Sequence, residues 1–421
     1  MNLKHKKFLT FMDCCNVSSN TNITTIHKGY MLSEIKNLVE DFLPRFVEIR
    51  RNLHSYPELS GKEHQTAAYV ANILSSYDIP VEKFIGKTGV VGHLISDSEE
   101  KSVLAIRTDM DALPMQEKTK LNFSSYNSGV MHACGHDVHT TVGIGTAVIL
   151  SMLKKQLGGN IRFLFQPAEE IAQGAKWMLQ DGVMNNVDAI FGVHVFPSLP
   201  AGSIGIKYGT LTASVDNIQV FIKGESGHGA RPHEAVDAIW IASQIITVLQ
   251  QAISRTQNPL NPLVLTIGKI TGGHAPNIIA DQVEMSGTVR SLHPETRAKL
   301  PQWIEGIISN VCQAHNAKYE IDYQWGVSSV ENDIHLTSIL ENASREAWGN
   351  DFVRILSEPS LGSEDFSSYL ECSPGTMFRL GTGYPNKINH PLHNPLFDID
   401  ESAIATGITT LAYTAYKYWK S

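Results

Sequence analysis

The sequence predicts an α/β fold, a central mixed sheet flanked by helices, with a ferredoxin-like α+β domain inserted into it. Three observations predict this. Apolar β-rich runs alternate with helix-period stretches over the first two hundred residues, the pattern of a sheet covered on both faces. A self-contained β-α-β-β-α-β run then occupies about 216–326, the order of the split ferredoxin-like unit. Helical patterning resumes after it, so the C-terminal piece packs back onto the N-terminal one. The expected divisions are residues 1–30 as a disordered extension, 31–213 with 328–421 as the α/β domain, and 214–327 as the inserted ferredoxin-like domain.

The first helix begins at Met31, where Leu32, Ile35, Leu38, Val39, Phe42, Phe46 and Ile49 recur at spacings of three, four and seven. A second covers Glu63–Ser76, with Ala67, Val70, Ala71 and Leu74 inward. Strands follow at Val90–Ile95, Val103–Thr108, Ile161–Gln166 and Ala189–Val195, with helices at Thr140–Lys154 and Gly174–Asp181. The insert reads as strand Ile218–Lys223, helix Ala235–Ala252, strands Leu263–Ile270 and Gln282–Arg290, helix Thr296–Ala314 and strand Lys318–Trp325. Helices at His335–Ala347 and Glu401–Tyr418 end the chain.

Composition excludes several functions. The 421 residues are 42 % hydrophobic and 18 % charged, ordinary for a globular protein. No apolar run approaches the roughly 20 residues that a membrane-spanning helix needs. Net charge is -8 with no basic block, so neither nucleic acid nor an anionic membrane is an expected partner. Five scattered cysteines form no disulfide framework, and the apolar stretch Phe8–Met12 is too short for a signal-peptide core. A cytoplasmic location is expected.

Seventeen histidines point towards chemistry. Three lie, with a cysteine, within His132-Ala133-Cys134-Gly135-His136-Asp137-Val138-His139, on a glycine-containing loop before a helix. Thiolate and imidazole suit zinc and other borderline metals. The strand Phe163–Gln166 runs through Pro167 into Glu169 and Glu170, at the sheet edge where α/β proteins place their sites. Adjacent side chains on non-helical backbone diverge, so one carboxylate can bind a metal while the other approaches a water. His194 ends another apolar strand, Asp109 and Asp111 end a third, and His390 and His393 occupy a late loop. Asp109 and Asp111 are expected to orient ligands, and His54, His132 and His139 to be structural. A cysteine hydrolase using Cys134 as nucleophile is the rival chemistry, and a non-catalytic ligand-binding protein the rival class.

Taken in order, "RRNLHSYPELS" from Arg50, "RTDMDALP" from Arg107, "HACGHDVHT" from His132 and "FQPAEE" ending at Glu170 make a specific set. "GHGARPH" from Gly227, "GTVR" ending at Arg290, "GSEDFS" from Gly362 and "PLHNPLFDIDE" from Pro391 complete it. The set resembles the amidohydrolase family of aminoacylases, hippurate hydrolases and auxin-conjugate hydrolases. That family lies in the metallopeptidase clan that includes carboxypeptidase-G-like enzymes.

The resemblance implies two divalent metals per subunit (Zn, Mn, Co or Ni) held by Cys134, His136, Glu170, His194 and His393. It implies Glu169 as general base on a metal-bridged water, His228 as a catalytic group, and Asn277 and Arg290 as substrate contacts. Ala280 stands where the pattern around Asn277 has proline. The implied substrate is an N-acyl-L-amino acid, with N-acetyldiaminopimelate or a dipeptide as the alternative. A homodimer through the inserted domain is also implied, with one subunit's histidine completing its neighbour's site.

Overall fold

The computed structural model describes residues 20–99 and 101–420, with side chains from residue 30 onward. Helix α1 spans Asn20–Ser55, beginning within the stretch expected as a disordered extension; residues 1–19 lie outside the described residues. Ile35, Val39, Phe46 and Ile49 of the predicted stripe are buried, and Leu53 extends it by one turn. Once packing fixes that stripe, each residue added upstream orders only its own dihedrals, so the helix extends beyond its apolar pattern.

Helix α2 (His64–Ser76) leads into the hairpin β1 (Val81–Ile85) and β2 (Gly89–Leu94). Alternation follows as predicted: β3 (Val103–Asp109), α3 (His136–Met152), β4 (Asn160–Gln166), α4 (Gly174–Gln180) and β5 (Ala189–Pro200). Short β6 (Ile204–Ile206) and β7 (Gly209–Thr212) precede the insert. This consists of β8 (Ser214–Lys223), β9 (Gly227–His228), α5 (Ala238–Thr256), β10 (Leu263–Gly272), β11 (Ile278–Ile279), β12 (Gln282–Ser291), α6 (Pro294–Ala314) and β13 (Lys318–Val327). The chain returns through β14 (Val330–Asn332), α7 (Ile334–Trp348), β15 (Val353–Ile355), α8 (Ser367–Leu370), β16 (Gly375–Gly383) and α9 (Ala403–Tyr418).

The large sheet is mixed, in the order β1-β2-β4-β3-β5-β16-β6-β15. Its centre, β4-β3-β5-β16, is parallel. Along β3, Leu104 and Ile106 join the core beneath α1, α3 and α9, while Ala105 joins the opposite core with Met178 and Phe366. Both faces are therefore covered. The insert pairs β10-β12-β8-β13 antiparallel, and α5 and α6 supply Ile241, Ile245, Leu249, Leu300, Ile304 and Ile308 to a separate core. Asp237 caps α5, accepting from the amides of Ile239 and Trp240 at 3.0 and 3.1 Å. That cap starts the helix three residues later than the sequence pattern suggests.

Register decides what meets at the sheet edge. Asp109 lies opposite Gln166, Arg107 opposite Gly192, and His194 opposite Arg379. Gln166, Asp109, His194 and Arg379 thus stand level on four adjacent parallel strands; Gln166 and Asp109 end theirs, while β5 and β16 run on beyond His194 and Arg379.

Candidate metal and catalytic centre

Helix α3 begins at His136, four residues earlier than predicted, so His136 is its first residue rather than part of a loop. Gly135 precedes it with φ of 81°, a left-handed conformation that favours glycine. A Cβ there would lie 2.5 Å from Val195 Cγ2. Gly135 therefore lets the Cys134–His136 turn press against β5.

Two residues of α1, one helical turn apart, clamp this turn. Arg50 Nε donates to Asp137 Oδ2 at 2.8 Å, and His54 Nδ1 lies 2.8 Å from the same oxygen. The "RRNLHS" segment is thus structural, as expected of His54. His54 Nε2 also lies 3.3 Å from Glu117 Oε1.

The centre has two donor groups that share Cys134. Ligand atoms of Cys134, His136 and His194 lie within 4.8 Å of one another, as do those of Cys134, Glu170 and His393. Cys134 Sγ is 3.6 Å from His194 Nε2, and His393 Nε2 is 3.5 Å from Glu170 Oε2. All five residues singled out as ligands come together; His390 joins none of these groups.

Hydrogen bonds set which lone pairs face inward. His194 Nδ1 donates to the Val195 carbonyl at 2.8 Å, leaving Nε2 as an acceptor. Burial, with His139 and Arg379 adding to it, holds the His194 pKa well below the usual range, so its ring is neutral. His136 Nδ1 faces Asp111 Oδ1 at 3.1 Å. Burial opposes the His136 cation, but Asp109 and Cys134 outweigh it and raise its pKa well above the usual value. Its Nε2 and the Oε1 of Glu170 are buried without a hydrogen-bond partner among the described residues. Buried polar atoms without partners are rare in native proteins. Here two of them converge with a thiol and a neutral imidazole, and this donor set fits borderline divalent metals.

His139 plays no such part. Its Nδ1 lies 2.6 Å from Asp109 Oδ1 and its Nε2 accepts the Val195 amide at 2.8 Å, so both nitrogens are used. Asp111 takes Ser60 Oγ and the Glu170 amide as well as His136, at 2.6, 3.0 and 3.1 Å. The two aspartates therefore orient the histidines and the glutamate loop.

Glu169 and Glu170 are each about nine-tenths buried, and Glu169 Oε2 is 3.9 Å from His136 Nε2. Burial pushes the Glu169 pKa well above the carboxylate range, and nearby Glu364 and Asp365 push it further. Ala168, with φ of 53°, turns the chain ahead of this pair, and its amide donates to Glu63 Oε1 at 2.9 Å. Glu63 and Arg107 are structural groups that the sequence reading did not single out. Arg107 sits fully buried beneath the centre, 2.7 Å from Asp109, 2.9 Å from Asp365 and 3.0 Å from Glu364. Burial, with Glu364 adding to it, pushes Asp365 up to about 7 even against Arg107.

A cavity of about 350 Å³ opens over the centre, lined by His194 of β5, by Cys134, Glu169, Glu170 and His393 from loops of the α/β domain, and by Arg290 from β12. Arg290 donates to the Leu361 carbonyl at 2.9 Å. His228 and Asn277 do not line this cavity. His228 is exposed on β9, paired with Ile278 of β11, and Asn277 precedes that ribbon.

The sequence profile described as Peptidase family M20/M25/M40 matches residues 105–417. The chain belongs to this family. A Synechocystis sp. protein named "Probable hydrolase" is 64 % identical to it over 389 residues, covering 92 % of this chain and 99 % of that one. An N-acyl-L-amino acid amidohydrolase of Geobacillus stearothermophilus is 44 % identical, over 71 % of this M20 chain and 81 % of its own. The crystal structure of a Bacillus subtilis dinuclear metal-binding M20 peptidase superposes with a TM-score of 0.80 at 36 % identity, covering 90 % of this chain and 99 % of that one. The protein is thus a hydrolase of the M20 amidohydrolase and peptidase group, and no helix among its described residues is long and apolar enough to cross a membrane.

Proposed function

We propose that the protein hydrolyses the amide bond of N-acyl-L-amino acids, releasing a carboxylic acid and a free amino acid. The observation that carries this reading is the pair of donor groups sharing Cys134, with Glu169 beside them and Arg290 across the same cavity. Cys134, His136, Glu170, His194 and His393 would hold two divalent ions, drawn from Zn, Mn, Co and Ni. When bound, such ions acidify a water and polarise a carbonyl.

Glu169 supplies the proton handling. A buried carboxylate with a raised pKa accepts a proton from water and returns it to the leaving nitrogen, which departs only once protonated. Arg290, with a planar fork of donors, suits the α-carboxylate of the amino-acid half. Its tie to the Leu361 carbonyl fixes one arm and leaves donors for substrate.

His228 and Asn277 enter this reading through a second copy. His228 on the β9–β11 ribbon and Asn277 just before it are both exposed on the insert, where a homodimer through that domain would carry them to a neighbour's cavity. Buried, reduced Cys134 suits the expected cytoplasmic setting.

A nucleophilic Cys134 fares poorly, because burial and the Glu170 charge raise its thiol pKa and oppose the thiolate. Glu169→Gln tests the reading. It keeps size and shape but cannot take a proton, so turnover of N-acetyl-amino acids should fall at least about a hundredfold while bound metal stays near the wild-type amount. Loss of metal in this variant would instead make Glu169 a ligand.

A further inference from the structure

Three arginines are buried around this centre, and two have anionic partners. Arg50 is held by Asp137 at 2.8 Å and Glu401 at 3.3 Å, and Arg107 by the three carboxylates described above. Arg379 differs. It is 8 % exposed, yet among the described residues its guanidinium makes no hydrogen bond and no ion pair. It stands on β16 between β5 and β6, level with His194, and it lines the same cavity as Cys134, His194 and Arg290.

A guanidinium stays charged at any physiological pH. Glu364 and Glu169 line the same cavity and lend Arg379 some negative field, yet neither forms an ion pair with it, and natural proteins rarely leave so buried a guanidinium without a bonded partner. Strand pairing on both sides fixes the Arg379 backbone at the cavity wall, where an entering anion can reach its guanidinium. Arg290 approaches from the insert and Arg379 from the large sheet, so two separate guanidinium groups serve one substrate pocket.

We infer that Arg379 is a specificity-determining residue that pairs with a second carboxylate of the substrate, while Arg290 takes the α-carboxylate. The preferred substrates are then N-acylated amino acids bearing two carboxylates. This rests on the amidohydrolase reading above. The second carboxylate has two sources: an acidic amino-acid side chain, or a dicarboxylic acyl group.

The test uses the full-length, metal-loaded protein. N-acetyl-L-glutamate represents the first source, N-succinyl-L-alanine the second, and N-acetyl-L-alanine the monocarboxylate reference. One dicarboxylate should exceed the reference by roughly ten- to a hundredfold in kcat/KM, the value of a charged hydrogen-bonded pair. Arg379→Leu should collapse that ratio towards one, mainly through KM, and Arg379→Lys should restore part of it. Calorimetric binding of free glutarate or succinate should weaken in Arg379→Leu, with metal content and melting temperature recorded for each variant.

A ratio unchanged by either substitution, or equal losses on all three substrates, would overturn the inference. Hydrolysis of the monocarboxylate with no preference for either diacid would also overturn it and leave the amidohydrolase reading intact. If none of the three is hydrolysed, that reading falls. The calorimetry then decides Arg379 alone, and diacid binding indifferent to the substitution rejects it.

Discussion

Asp111→Asn isolates the contribution of the carboxylates behind the proposed ligands. Oδ1 of Asp111 faces His136 Nδ1 at 3.1 Å, and Oδ2 accepts Ser60 Oγ and the Glu170 amide at 2.6 and 3.0 Å. An asparagine has the same shape but only one acceptor oxygen. Turned one way, its NH₂ confronts the Nδ1–H of His136. The imidazole then answers by moving its proton to Nε2, which removes the lone pair that faces the centre. Turned the other way, the NH₂ confronts the Glu170 amide and displaces the loop that carries that carboxylate. Ser60 can rotate to suit either, but one N–H donor loses its acceptor in both cases. An unmade buried hydrogen bond costs about 1–3 kcal/mol, and loss of such an orienting partner typically lowers metal affinity about 10- to 100-fold. The assay is competition for metal against a chromophoric chelator, with thermal melting to establish that the variant is folded. A folded Asp111→Asn protein whose metal affinity lies within about twofold of wild type would refute this account of the aspartate.

Two further outcomes follow from the buried electrostatics. Arg107→Met leaves Asp109, Glu364 and Asp365 without their shared cation and should cost about 3–5 kcal/mol in urea denaturation, whereas a loss under about 1 would remove Arg107 from its central place. Metal affinity should rise with pH through neutrality. The Cys134 and His136 pKa values both lie above their usual ranges, so both groups hold protons that a metal must displace. Each displaced proton contributes about tenfold per pH unit, and a pH-independent association constant from chelator competition would contradict the assigned ligands.

Much of the fold was legible because its elements have clean periods: the α1 stripe, the α2 stripe and the six elements of the insert all appear. Of the strands that were missed, the longest is instructive. β16 reads Gly-Thr-Met-Phe-Arg-Leu-Gly-Thr-Gly, and its glycines and threonines dilute the apolar signal, yet every one of its residues is buried at the centre of the sheet. Missing the strand also hid Arg379, whose position depends on pairing with β5. Clustered chemistry was easier to read than scattered chemistry. Cys134, His136 and the Glu169–Glu170 pair announce themselves by spacing, whereas His194 and His393 reach the centre only through sheet register and a returning loop. Arg107 and Glu63 left no local signal, since a buried ion-pair hub is defined by partners up to 258 residues away.

The central claim is metal-dependent amide hydrolysis, and chelator stripping with add-back tests it most directly. N-acetyl- and N-benzoyl-amino acids would be assayed before stripping, after it, and after return of Zn, Mn, Co or Ni. The account predicts activity that disappears with the metal and returns with at least one of the four. Activity on these substrates that survives complete metal removal would contradict it and shift the chemistry to Cys134.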